Sequence, residues 1–110
     1  MFLGDRKVST TAFQSLAASF FRLANARLSD MQKQVLRMSH GLLKHHEMTL
    51  TALADQVSRR STVPYSTTKW NLRSLKNMGL LTGGNLSNKG QLACLSSEAQ
   101  MLADYLENDL

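Results

Sequence analysis

Residues 63–81 read VPYSTTKWNLRSLKNMGLL, and this segment carries the strongest structural signal in the chain. Small and apolar residues recur in it at steps of three and four, which predicts a helix over about residues 64–78. The residues on the inner side of this helix are Thr68, Leu72 and Leu75. Pro64 suits the first helical turn, where its missing N–H leaves no hydrogen bond unmade. Gly79 is the expected stop of the helix.

A shorter helix is predicted before this segment. Thr51 is its expected N-cap, after an extended piece over residues 48–50. The inward-facing residues of this helix are Leu53, Ala54 and Val57. A polar and basic turn over residues 58–63 joins the two helices, so the pair forms a helix-turn-helix.

The segment that follows Gly79 is predicted to form a small hairpin. Residues 80–82 read as a strand, residues 83–85 as a tight turn and residues 86–87 as the return strand. Ser87 or Asn88 then caps a further predicted helix, whose apolar residues are Leu92, Ala93 and Leu95. A second capping box, Ser97-Glu98-Ala99-Gln100, starts or renews a last helix.

Two helices are predicted on the N-terminal side. The first runs from Ser9 to Arg27 and carries an apolar stripe at helical spacing. The stripe consists of Phe13, Leu16, Phe20 and Leu23. The second begins with the capping box Ser29-Asp30-Met31-Gln32 and continues to about His45. Gly41 in its interior is explained if another helix crosses closely there.

The order of these elements predicts a mainly α fold with a small β-hairpin wing, a winged helix-turn-helix with extra N- and C-terminal helices. A chain of 110 residues is long enough for one hydrophobic core, so we expect a single domain over residues 1–110. Within it we assign residues 9–28 to the N-terminal helix, 29–95 to the winged helix-turn-helix and 96–110 to the C-terminal helix.

Three segments, residues 49–57, 63–81 and 86–90, resemble prokaryotic winged-helix transcriptional regulators of the MarR/ArsR-like kind. In that family the pattern reads Leu-Ala in the first helix of the motif, Ser-Thr-Val at the start of the second, Leu-x-x-Leu-x-x-x-Gly-Leu-Ile at its end and Leu-Thr-x-x-Gly after the wing. This chain has Leu81 in place of the Ile and Ser87 in place of the Thr. The resemblance covers about residues 30–95. It implies a regulator that binds double-stranded DNA sequence-specifically. It also implies that the protein is a homodimer, formed through its terminal helices.

Charge is distributed unevenly along the chain, which has a net charge of +5. No Asp or Glu occurs from Gln56 to Ser97, a window that contains six Lys and Arg residues, whereas the chain from Leu92 to its end carries acids and no base. From the charge alone, this block can also be a basic face that contacts only solvent. A basic block without acids nevertheless favours a surface that binds a polyanion.

The candidate DNA contacts are the polar, basic and aromatic residues that remain after the predicted core positions are removed. They are Arg59, Arg60, Tyr65, Ser66, Thr67, Lys69, Trp70, Arg73 and Lys76. The resemblance supports five of these by position, namely Ser66, Thr67, Lys69, Trp70 and Arg73. The sequence leaves open whether Trp70 is exposed or packs against the wing or the first helix. The short wing lacks the Arg that such regulators commonly insert into the minor groove, so we expect at most a backbone contact from it.

No catalytic or metal site is predicted. The histidines His40, His45 and His46 lack the spacing of a metal-sensor site, and no nucleophile has a neighbouring base. Cys94 is expected to be a buried structural cysteine on a helix. We therefore expect a cytoplasmic protein with no cofactor and no enzymatic activity, and no membrane segment.

The residues predicted to mediate dimerisation form two apolar stripes, one on each terminal helix. They are Phe13, Leu16, Phe20 and Leu23 in the first helix, and Leu102, Tyr105 and Leu106 in the last. One or both stripes should form the interface. The alternative is a winged helix that serves as a protein–protein interaction module of a larger assembly and does not bind DNA. The sequence does not identify the operator, a small-molecule effector or the sign of regulation.

Overall fold

The computed structural model describes residues 2–84 and 90–108, with side chains from residue 12 onward. This part of the chain forms five helices and one antiparallel pair of short strands. They are α1 (Phe2–Arg27), α2 (Asp30–Leu43), α3 (Leu50–Arg59), α4 (Tyr65–Asn77), β1 (Leu81–Thr82), β2 (Cys94–Leu95) and α5 (Ser97–Asn108). The predicted class, a mainly α winged helix-turn-helix with extra terminal helices, is confirmed.

Helix α2 lies at the centre of the fold and contacts α3, α4 and α5. The predicted capping box is present: the Gln32 backbone N–H donates to Ser29 Oγ at 3.0 Å, and the Ser29 N–H donates to Gln32 Oε1 at 2.9 Å. The helix ends at Leu43, two residues before the predicted end at His45. Gly41 was expected at a close helix crossing, and this is wrong, because no atom lies within 4 Å of the position that a Cβ would take.

The N-cap of helix α3 lies two residues before its predicted position at Thr51. Thr49 is the N-cap, and its Oγ1 accepts a hydrogen bond from the Ala52 N–H at 3.3 Å. The reason is tertiary, because Thr49 forms a β-bridge with Leu92 and the Met48 carbonyl accepts from the Ala93 N–H at 2.8 Å. The extended piece thus ends at Thr49, and the helix starts directly after it.

Helix α4 ends at Asn77, and Gly79, the predicted stop, follows its C-cap Met78. Gly79 has a φ of +81°, in the left-handed region that favours glycine. The Leu80 N–H donates to the Leu75 carbonyl at 3.0 Å, which closes the helix and turns the chain into β1. At the other end, Pro64 is the N-cap and not the first helical residue, with a φ of −61°.

The helix predicted through Leu92, Ala93 and Leu95 is wrong, because this segment is extended. Leu92 and Cys94 are exposed whereas Ala93 and Leu95 are buried, an alternation with the period of a strand. Leu95 pairs with Leu81, and Cys94 pairs with Thr82. Cys94 is accordingly an exposed thiol on β2 and not a buried one on a helix. The predicted return strand at residues 86–87 lies outside the described residues.

Helix α5 completes the core, which corrects the expectation that its apolar stripe is open for dimerisation. Leu102 is 0% exposed and Leu106 is buried beside it, both within the main hydrophobic cluster, and Tyr105 packs at the edge of that cluster. The helix lies on α2, so α2 buries the stripe that a second copy was expected to cover. Its cap is Ser96, whose Oγ accepts from the Ala99 N–H at 3.1 Å, one residue before the predicted Ser97.

Polar contacts between side chains add to the packing of α2 on α5. Arg37 Nε lies 2.9 Å from Glu107 Oε2, and His40 Nε2 lies 3.1 Å from Asp104 Oδ1. Lys44 Nζ lies 3.9 Å from the same Asp104 oxygen. By hydrogen bond and by charge, Arg37 holds the pKa of the Glu107 carboxyl below its ordinary value. Much of the acidic charge on α5 is therefore offset by bases on α2.

Helix α1 packs on α5 through one side only. The Phe21 ring stacks on Tyr105, with the ring centres 4.9 Å apart, and Leu28 enters the core. The predicted stripe is largely open to solvent: Phe13, Leu16, Phe20 and Leu23 are each between 37% and 68% exposed. The radius of gyration, 16.0 Å, exceeds the value of about 13 Å expected for a compact chain of this length, which agrees with a long helix that extends past the core.

Candidate nucleic-acid interface

Helix α4 is fixed to the core along one side. This buried side consists of Thr68, Asn71, Leu72 and Leu75. It packs against α3, whose buried residues are Leu53, Ala54 and Val57, and against α2. The buried Asn71 side chain has a hydrogen-bond partner in its own helix, because its Nδ2 donates to the Thr67 carbonyl at 2.8 Å. Because this buried face packs on α3 and α2, α4 is held rigidly and its opposite face is exposed to solvent.

The solvent-facing side of α4 carries four exposed residues at steps of four, three and four. They are Ser66, Trp70, Arg73 and Asn77, and we call them the outward line. At about 100° per residue these positions lie opposite the buried side. Trp70 is 65% exposed, so its indole lies mainly in solvent. The question that the sequence left open is thereby answered.

The remaining α4 candidates lie on the flanks of the outward line. Lys69 is exposed and Tyr65 is 39% exposed, and both lie on the side that turns toward Lys76. Lys76 is partly buried, and its Nζ donates to the Gly84 carbonyl at 3.3 Å. Lys76 therefore ties the end of α4 to the start of the wing, whereas Thr67 is half-buried on the opposite flank.

The two arginines before the turn lie closer to α3 than the sequence indicated. Arg59 belongs to the last turn of α3, and its Nε pairs with Asp55 Oδ2 at 2.9 Å. Arg60 is the C-cap, and its Nε donates to Gln56 Oε1 at 3.4 Å. Both side chains are exposed, and exposed ion pairs of this kind contribute at most about 1 kcal/mol. Either guanidinium can therefore exchange its present partner for a stronger anion.

Ser61 organises the turn between α3 and α4. Its Oγ donates to the Val57 carbonyl at 2.7 Å and accepts from the Val63 N–H at 3.1 Å. Val63 is buried beneath the turn. The connection is consequently short and fixed, and it sets the angle at which α4 projects.

The electrostatic character of this surface follows from what surrounds α4. The sequence of α4 contains no Asp or Glu, and among the described residues neither Lys69 nor Arg73 forms an ion pair. Asp104 and Glu107 of α5 face α2 instead. Positive charge on α4 is thus not cancelled by its neighbours.

Asn77 is the member of the outward line that sequence reasoning missed. It lies one helical turn after Arg73, and that spacing was a readable signal. An asparagine amide can donate to and accept from the edge of an adenine. The surface thus combines a hydroxyl, an indole, a guanidinium and an amide on one line.

Three observations concern other kinds of site and relatives. In the part of the chain that the structure describes, no group of three or more His, Cys, Asp and Glu side chains could hold a metal ion. Over the same residues, no helix combines the length and apolar character of a membrane span. No protein-family model and no curated protein matches the chain.

Proposed function

We propose that the protein is a cytoplasmic transcriptional regulator of the MarR/ArsR-like kind that binds double-stranded DNA sequence-specifically. In this proposal α4 enters the major groove, and the protein acts as a homodimer. The observation that carries it is the outward line of α4, flanked by unpaired Lys69 on a helix without carboxylates. A helix of this kind fits the major groove, where a polar and basic face meets base edges and phosphates.

The candidate residues divide by the part of DNA that they suit. Lys69 suits a phosphate, and Arg73 suits a phosphate or the O6 and N7 atoms of guanine. Arg59 and Arg60, at the end of α3, suit the backbone beside the groove. Ser66, near the start of α4, suits a phosphate or a base edge. Such a division gives both affinity and a fixed register on the duplex.

The dimer part of the proposal rests on α1. The four large apolar residues of its stripe are exposed, and a soluble chain gains by covering contiguous apolar surface of this kind. A second copy would cover it with the same stripe through a two-fold axis. The expected site on DNA is then roughly palindromic, with half-sites about one helical turn apart.

The test is duplex binding measured by fluorescence anisotropy over a salt series, after selection of bound sequences from random duplex DNA. Release of counterions from several phosphates gives a log–log slope of about −4 or steeper. The double variant Lys69→Glu/Arg73→Glu should abolish binding and leave the circular-dichroism spectrum unchanged, because both side chains are exposed.

A matched control reverses two bases on another surface. Arg22 is exposed on α1, and Lys33 lines a cleft with Asn25 and Glu107, on the side of α2 that faces α1 and α5. Arg22→Glu/Lys33→Glu changes the net charge equally and should retain most of the affinity. A flat salt response, or equal loss in both double variants, would remove α4 from the interface.

The second candidate is a protein–protein interaction module without DNA binding, and the exposed α1 stripe is the feature that favours it. In that case the docked partner, and not a second copy, covers the stripe. Size exclusion with light scattering separates the two: a monomer that is not retained by duplex DNA at physiological salt is the result expected of such a module.

A further inference from the structure

Trp70 is the largest exposed side chain on the outward line of α4. Its indole is 65% exposed, and Ser66 and Arg73 lie one helical turn before and after it. Burying an aromatic surface of this size against a partner is favourable, and its place on the outward line of α4 makes this indole a candidate contact residue. The chain has one Trp, so this exposure concerns its only indole.

We propose that Trp70 reads thymine in the major groove by packing its indole against the 5-methyl group. This inference rests on the DNA-binding function proposed above and assigns the base that one residue of that interface recognises. It gives the protein a sequence preference that its cations alone do not supply.

The chemistry of the groove selects the thymine methyl as the partner. Phosphates and most base edges offer hydrogen-bond donors, acceptors or charge, and the thymine methyl is the apolar group that the major-groove edge displays. The indole offers a large apolar face and a single N–H donor. Lys69 and Arg73, next to Trp70 and one turn beyond it, suit phosphates and can hold the helix at the depth where the indole meets the base edges.

The placement of the aromatic residues argues against stacking on single-stranded bases. Single-strand binding proteins stack successive bases on neighbouring aromatic rings along a groove. The other exposed aromatic of α4, Tyr65, lies five residues before Trp70 and therefore about 140° away around the helix. Two rings that point in such different directions cannot stack consecutive bases, whereas a single indole on a projecting rod suits the edge of a base pair.

The experiment compares the native chain with Trp70→Ala in selection from random duplex DNA, followed by anisotropy on the selected site. We expect a thymine preference in each half-site that Trp70→Ala loses, while the salt dependence stays the same. Replacing that thymine by deoxyuridine removes only the methyl group, so native affinity should fall about three- to fivefold. Trp70→Ala should not distinguish the two duplexes.

Two further variants control the comparison. Trp70→Phe keeps an aromatic face and should retain part of the thymine preference. Tyr65→Ala removes the aromatic that lies off the outward line and should keep the discrimination between thymine and deoxyuridine in full. Circular dichroism and urea unfolding confirm that each variant is folded, which is expected because Trp70 makes little contact with the core.

The outcomes separate the two proposals. Duplex binding in which Trp70→Ala keeps the native thymine preference, or in which the native chain does not distinguish thymine from deoxyuridine, overturns the role of Trp70 and leaves the proposed function standing. Tighter binding to single strands than to duplex overturns the major-groove contact. Absence of any salt-dependent duplex binding overturns the proposed function, and the thymine contact with it.

Discussion

Replacing Leu102 by Ala should destabilise the fold strongly, because this residue belongs to the core and not to an interface. Leu102 is 0% exposed and lies in the main hydrophobic cluster, where α5 packs on α2. Truncation of a fully buried leucine costs about 2.7–5.0 kcal/mol, since the transfer free energy of the lost methyl groups is added to that of the cavity left behind. A small domain has a total stability of about 5–15 kcal/mol, so the loss is a large fraction of it.

Leu23→Ala is the matched variant, with the same chemical change on the stripe of α1. Leu23 is 62% exposed, so most of its surface already lies in water in a single chain. The truncation should lower the stability of the monomer by less than about 1 kcal/mol. If the stripe forms the dimer interface, the same variant weakens association, so its apparent stability is lower than that of the native chain at concentrations where the native chain is dimeric and depends less on protein concentration.

The assay is urea unfolding followed by far-ultraviolet circular dichroism at several protein concentrations, with light scattering for the oligomeric state. Leu102→Ala should lower the unfolding midpoint at every concentration, and Leu23→Ala should change mainly the concentration dependence. Native-like stability of Leu102→Ala together with loss of the dimer would refute the reasoning, because Leu102 would then face a partner. Strong destabilisation by Leu23→Ala at all concentrations would place the α1 stripe against its own chain.

Two further predictions concern backbone conformation and pH. Gly79→Ala should destabilise the fold by about 1–2 kcal/mol, because the φ of Gly79 is +81°. Gly41→Ala should stabilise the fold by about 1 kcal/mol, because a Cβ at this helical position meets no atom within 4 Å. Urea unfolding that ranks the two variants in the reverse order of stability would contradict this. The folded-state pKa of Glu107 is below its ordinary value of 4.5. The ionised carboxylate therefore stabilises the fold above that pH, and this stabilisation is lost as the pH falls through the lowered pKa. Glu107→Gln should therefore show a shallower loss of thermal stability toward acid than the native chain, and identical slopes would mean that the Arg37 pair adds no pH dependence.

The parts of the fold that the sequence predicted well are those in which local chemistry decides the outcome. Ser29 and Gln32 form their capping box from groups three residues apart, and Gly79 stops α4 through its own backbone freedom. The choice between Thr49 and Thr51 is different, because both can cap a helix and the β-bridge to Leu92 decides between them. A contact between residues so distant in sequence leaves no local trace at either threonine.

The interface shows the same division between local and tertiary causes. Helical spacing sufficed to place Ser66 and Arg73 on the exposed side of α4. The exposure of Trp70 depends on whether a neighbouring element of the fold covers it. Likewise, the apolar stripe of α5 can be buried either by α2 or by a second copy of the chain, and helical spacing does not decide between them. The charge pattern of the two helices could have predicted that α5 packs on α2. Basic side chains recur at steps of three and four along α2 and its C-cap, at Arg37, His40 and Lys44, and their acidic partners on α5 are Asp104 and Glu107.

The stripe of α1 and the indole of Trp70 are two exposed apolar surfaces whose chemistry differs, and this difference favours different partners for them. The stripe of α1 is a row of four large apolar residues, which apolar surface from another protein chain covers best. Trp70 instead lies on a line with Ser66 and Arg73 and next to Lys69, and burying those cations against protein would cost their hydration unless each found an acidic partner. In the proposed complex with DNA, phosphates would supply that charge beside α4, and the groove between them would supply the apolar methyl group for the indole. One partner does not satisfy both surfaces, so we expect a chain that associates through α1 and reads DNA through α4.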